Sequence, residues 1–183
     1  MKKGDKVAIV NCSNGRPGAF CKDLERLLEI LTEIGLEPIL GEYIFEKDSV
    51  FSGTGQERAE SLMQFYRDEE IKAIFDISGG DLANEILPYL DYQVIAESRK
   101  RFWGYSDLTC VINAIYAKTG CSSVLHQVRN LLFDVVGERT KQFAKTVFEE
   151  DKELFDIDYV FVQQEEMRGI FEPVEADGGL CTD

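Results

Sequence analysis

Ile71-Lys72-Ala73-Ile74-Phe75-Asp76-Ile77-Ser78-Gly79-Gly80-Asp81-Leu82-Ala83-Asn84-Glu85-Ile86-Leu87 changes character midway. An apolar run over 71–77 ends at two glycines, and a helical pattern follows at once. Glycines at such a junction let the backbone turn sharply and bring N–H groups close to a ligand. A nucleophile just past the turn would sit at a helix N-terminus, which favours developing negative charge. The residues offered there are Asp81, Leu82, Ala83 and Asn84.

Strand and helix signals alternate on both sides of this turn. Val7-Ala8-Ile9-Val10 reads as a first strand, and 20–34 carries Leu24, Leu27, Leu28 and Leu31 at helical spacing before Gly35. A second strand begins at Glu37-Pro38-Ile39-Leu40, and 57–66 is helical. After the third strand, 71–77, comes a short helix over 83–87, stopped near Pro88. A fourth strand over 101–105, a helix over 108–118 ending at Gly120, and a fifth strand over 122–125 complete the series. This order predicts an α/β fold: a doubly wound parallel sheet with helices on both faces. Ligands in such sheets bind beyond the strand C-termini. The Gly79-Gly80 turn, the Ser106-Asp107 turn and His126 all fall at that edge.

Past Asn130 the alternation weakens. Residues 139–155 read as a charged helix, a linker or a solvated element, and 159–162 and 170–174 as strands opening a second, mostly β domain. The expected division is an α/β domain over 1–135, a linker helix over 136–158 and an incomplete domain over 159–183.

Composition limits the possible partners. The chain has 183 residues, 44% of them apolar, and a net charge of −14. Such acidity argues against nucleic acid and against an anionic membrane surface. No apolar run approaches the roughly 18 residues of a membrane span. The run 7–10 is too short for a signal peptide. Five cysteines without a CxxC spacing, and no secretory signal, read as reduced thiols in a cytoplasmic protein. The sole histidine, His126, has no thiolate cluster beside it, so no metal is expected. Cys12-Ser13-Asn14-Gly15 follows the first strand and could line the same edge, but it lacks a glycine-rich phosphate loop, and no cofactor is expected.

Several ordered blocks carry a resemblance. They are Gly55-Gln56-Glu57-Arg58-Ala59, Asp68-Glu69-Glu70-Ile71-Lys72-Ala73-Ile74, Gly79-Gly80, Leu87-Pro88-Tyr89-Leu90-Asp91-Tyr92 and Gly104-Tyr105-Ser106-Asp107-Leu108-Thr109. With these blocks the chain from Lys6 to about Asn130 resembles the LD-carboxypeptidase family of serine peptidases, which includes the microcin C7 self-immunity proteins. The resemblance implies cleavage of an amide next to a D-configured centre, in murein tetrapeptides or related conjugates. It implies acyl transfer through a serine ester, with backbone N–H groups holding the oxyanion. The family's serine lies shortly after the glycine pair, and alignment places Ala83 there. The family's catalytic Glu and His come from a C-terminal domain, and the chain is expected to stop before both.

Each candidate also has a structural reading. Asp81 can cap the helix that follows Gly79-Gly80, and Ser78 can bond backbone at a strand end. Ser106 suits an N-cap, with Asp107 favourable in the first turn. The resemblance puts Ser106, Asp107 and His126 beside the cleft as support for the site. Catalysis by Ser106 with His126 as base would need a geometry that sequence does not show. Cys12 as nucleophile would need a lowered pKa, to which Arg16 could contribute. Trp103 and Tyr105 read as packing residues.

The expectation is therefore an LD-carboxypeptidase-like protein that is inactive as this chain. Gly79, Gly80 and Asp81 form its ligand-facing turn, and a peptide or murein fragment is its ligand. The alternatives are a non-catalytic binding or assembly module, or a truncated remnant. Unpaired strand edges in an incomplete domain would favour a homodimer.

Overall fold

In a computed structural model of the chain, contacts divide Met1–Lys152 from Glu153–Asp183, and residues 1–149 are described. The expected strands 159–162 and 170–174, with the rest of the 159–183 domain, lie outside the described residues.

Five parallel strands form one sheet: β1 Lys6–Val10, β2 Glu37–Leu40, β3 Ile71–Asp76, β4 Arg101–Gly104 and β5 Val124–Leu125. Their order is β2-β1-β3-β4-β5, with Ala8 opposite Ile39 and Ile74, and Ile74 opposite Phe102. The central strands are apolar almost throughout because both of their faces are covered. Ala8, Val10, Ile74 and Phe102 join one core cluster with α2 (Gly55–Arg67), α3 (Tyr92–Ser98) and α4 (Thr109–Thr119). The alternate residues Val7, Ile9, Phe75 and Trp103 point to the other face and are also buried. There α5 (Glu138–Phe148) sets Phe143 edge-on against Phe75 and Trp103, at ring separations of 5.8 and 5.7 Å. α1 (Cys21–Glu33) buries the stripe Leu24, Leu27, Ile30 and Leu31, as its apolar spacing predicts. The doubly wound α/β reading therefore holds.

The local differences have physical reasons. α2 begins at Gly55 because Thr54 caps it: the Thr54 side chain accepts from the Glu57 N–H, and the Glu57 carboxylate accepts from the Thr54 N–H. Residues 83–89 form a 3-10 helix rather than an α-helix, with Pro88 inside it. α3 went unread, since its seven residues span less than two full turns and bury only Ile95. Its signal was Asp91, whose carboxylate accepts from the Gln93 and Val94 N–H groups. β5 keeps two of the four residues expected of it. α5 is half amphipathic packing: Phe143 and Val147 are buried while its charged residues face solvent. Among the described strands the sheet edges are β2 and β5, and β2 carries Pro38.

Candidate functional site

The order β2-β1-β3 puts a topological switch point between β1 and β3. The chain leaves β1 toward one side of the sheet and β3 toward the other, which opens a crevice beyond their C-termini. Residues 11–16 leave β1 and residues 77–83 leave β3 at this point. Gly79 and Gly80 both have φ of 153°, a conformation that disfavours a side chain. At Gly80 a Cβ would also lie 2.2 Å from the Asn14 side chain.

The N–H groups of residues 80–83 already have acceptors. The Gly80 N–H donates to Asp107 Oδ1 (3.0 Å) and the Ala83 N–H to Asp107 Oδ2 (3.1 Å). The Asp81 N–H donates to Asn14 Oδ1 (3.0 Å), and the Leu82 N–H to Ser13 Oγ (3.2 Å). Ser13 Oγ in turn donates to Asp107 Oδ2. Asp107 thus stands where an anionic ligand of a helix N-terminus would stand, drawn by the same dipole and donors. Its neighbour Ser106 is exposed at φ 64°, and no side-chain cap from it holds the next helix. Ala83, first in the 3-10 helix, is fully buried in the core cluster with Ile86 and Leu108.

Arg58 ties this edge together from below. Its side chain is fully buried. Nη1 donates to the carbonyls of Cys12 (2.6 Å), Ser13 (3.3 Å) and Leu82 (3.3 Å), and Nε to that of Gly53 (3.2 Å). Nη2 pairs with the Glu85 carboxylate. One guanidinium therefore joins the chain after β1, the turn after β3 and the start of α2. A planar fork with several fixed donors suits that task.

Asp76 ends β3 fully buried. Its carboxylate accepts from the Cys12 N–H (2.9 Å), the Ser78 N–H (2.7 Å) and the Ser78 hydroxyl. Burial pushes its pKa above the ordinary carboxylate value, against the pull of those bonds. Burial, and then the Asp76 charge, push the Cys12 thiol well up, so Cys12 is a core thiol and not a nucleophile. Ser78 proves to be the strand-end hydroxyl expected of it, and its Oγ also accepts from the Ser13 N–H (3.0 Å).

Two carbonyls of the turn are held from the opposite side. Gln127 Nε2 donates to Ser78 O (2.8 Å), and Arg16 Nη2 to Gly79 O (3.1 Å). Arg129 follows Gln127, with its guanidinium 6.0 Å from the centre of the Phe20 ring. His126 is half-buried after β5, stacked on Phe143 at 5.9 Å and edge-on to Trp103 at 6.0 Å. Burial lowers its pKa. Trp103 is a packing residue, whereas Tyr105 is 52% exposed.

The structure thus brings Gly79, Gly80, Asp81, Ala83, Ser106 and Asp107 together at one edge, with His126 over the aromatic cluster on the second face. Sequence reading put Cys12-Ser13-Asn14-Gly15 at this edge without giving Ser13 or Asn14 a role, and it missed Arg58 and Gln127. The block around Arg58 was visible, but nothing local marks an arginine that reaches carbonyls 46 and 24 positions away. Among the described residues no His/Cys/Asp/Glu group could hold a metal ion. No described helix is long and apolar enough to cross a membrane.

A parallel sheet of this order with a glycine turn at its switch point defines a doubly wound α/β domain. The particular family follows from comparison. Residues 7–127 match the LD-carboxypeptidase N-terminal domain, and the chain belongs to that family. It is 38% identical over 117 residues to the microcin C7 self-immunity protein MccF of Escherichia coli, covering 64% of this chain and 34% of that protein. It is 29% identical to a "Probable murein peptide carboxypeptidase" of Bacillus subtilis, over 98% of this chain and 54% of that protein. The chain thus spans about half the length, or less, of these curated relatives. A crystal structure of an MccF-like protein from Bacillus anthracis superposes with a TM-score of 0.72 at 31% identity, over 81% of this chain and 46% of that one. MccF in complex with aspartyl sulfamoyl adenosine superposes at 0.67 and 26% identity, over 81% and 45%.

Proposed function

We propose that this chain is a peptide-binding member of the LD-carboxypeptidase family that lacks serine-ester chemistry. The observation that carries this is Ala83. The resemblance set out above puts it at the position of the family's nucleophile, and its methyl group is fully buried in the core. A methyl has no lone pair with which to attack an acyl carbon, so no ester can form there. The pairing of the neighbouring N–H groups with Asp107, Asn14 and Ser13 supports the same reading, because a tetrahedral oxyanion would have to displace the chain's own acceptors. The ligand class is a murein-type or related peptide bearing a D-residue, by analogy with the relatives named above. A cytoplasmic setting fits the four free cysteines of the described residues.

The test is incubation of the chain with a murein tetrapeptide and measurement of free D-alanine. Release should stay at the no-enzyme blank, and release above it would overturn the reading. A fluorophosphonate probe extends the test to Ala83→Ser. Weak labelling, like that of the parent, is expected for a hydroxyl facing the core, whereas strong labelling would reveal a base and an open site.

A further inference from the structure

We infer that Arg16 and Arg129 together form a carboxylate-binding site beside the glycine turn, for the free carboxyl end of a peptide. This rests on the peptide-cleft reading above but not on the absence of catalysis. The N–H groups of residues 80–83 are committed to the chain's own side chains, so an incoming anion needs other donors.

Arg16 and Arg129 are those donors. Both are half-buried, and both Nε–H groups are buried with no acceptor among the described residues. Neither guanidinium forms an ion pair among the described residues, in a chain with 34 acidic side chains. Asp76 acts on both through space, and Asp107 and Glu46 act on Arg16. The Asp76 and Asp107 oxygens, however, are held by Cys12, Ser78, Gly80, Ala83 and Ser13. Glu46 is exposed to solvent.

Burial, and then the Arg16 charge, lower the Arg129 pKa. Half-buried like charges with unused donors are costly to keep together unless an anion visits them. Their placement is fixed. The Arg16 backbone N–H donates to Ile44 O (2.8 Å), its carbonyl accepts from the Glu46 N–H (3.0 Å), and its Nη2 holds Gly79 O. The Arg129 N–H donates to Gln127 Oε1 (3.3 Å), and Gln127 holds Ser78 O. The Arg16 guanidinium is thus anchored to the turn at the switch point, where ligands of this fold class bind, and the Arg129 backbone is tied to the same turn through Gln127. A planar fork suits the two oxygens of a carboxylate.

The experiment uses the whole chain and titrates N-acetyl-D-alanine while recording the Arg Nε–H resonances. N-acetyl-D-alanine amide and inorganic phosphate serve as the other two arms. Saturable shifts of the Arg16 and Arg129 signals with the acid, and none with the amide, are expected. Arg129→Gln removes no side-chain hydrogen bond among the described residues, so it should fold as the parent does by near-ultraviolet circular dichroism. It should weaken binding about tenfold or more, the effect of losing a charge-assisted bidentate contact. Three results would overturn the inference: no saturable shift with the acid, equal shifts with the amide, or an Arg129→Gln affinity equal to the parent's. Tighter binding of phosphate than of the acid would overturn the choice of a peptide carboxylate. D-alanine release from the tetrapeptide would overturn the catalytic reading alone.

Discussion

Arg58 bonds Cys12, Ser13, Gly53, Leu82 and Glu85 at this edge. Replacing it with Met removes the donors to the Cys12, Ser13 and Leu82 carbonyls and strands a buried cluster of acceptors. A buried acceptor left unpaired costs about 1–3 kcal/mol. Glu85, 42% exposed, recovers hydration and adds little. Arg58→Met should therefore lower unfolding stability by about 3 kcal/mol in a urea titration. Arg58→Lys should recover only part of that, since one ammonium cannot reproduce the fork. None of this was legible beforehand. Arginine reads as a surface residue by type, and only the fold brings its acceptors together. Asp107 illustrates the same limit. Its place after β4 was readable, but its use as an internal anion depends on a turn 24–27 positions away.

At the scale of elements, the close approach of α2 to the 3-10 helix 83–89 sets a firm demand. A Cβ at Gly55 would lie 2.7 Å from the Glu85 carbonyl oxygen and 3.0 Å from its carbonyl carbon. Both are backbone atoms, so a methyl group cannot be accommodated by turning a side chain aside. Gly55→Ala should cost about 1–3 kcal/mol despite its better helix propensity, a loss that thermal or urea unfolding will register. The long helices and the central strands were legible because each carries a full apolar period. α1 shows its stripe at Leu24, Leu27 and Leu31, and β3 is apolar at Ile71, Ala73, Ile74 and Phe75. α3 was not, because it carries too few buried positions to set a period, and β5 was legible as a strand but not in its two-residue length.

For the whole molecule, the two covered faces sort the cysteines by reactivity. Cys12 lies in the core with its thiol pKa pushed well up, while Cys21 is exposed at the start of α1. Under native conditions an alkylating reagent should modify Cys21 quickly and Cys12 only when the sheet opens. Mass spectrometry of timed samples should show Cys12 labelling accelerating with urea in step with global unfolding. Labelling of Cys12 as fast as that of Cys21 in the folded chain would mean that the first core is not closed. The overall α/β architecture followed from the strand–helix alternation because a parallel sheet leaves few other ways to cover its strands. The margins of that sheet have a consequence for storage and crowding. Parallel strands at an open border invite a neighbouring copy to zip on, chain after chain. Here one border carries Pro38, which lacks a donor, and the other is only two residues long. The sheet's own ends therefore give fibril growth little to template from.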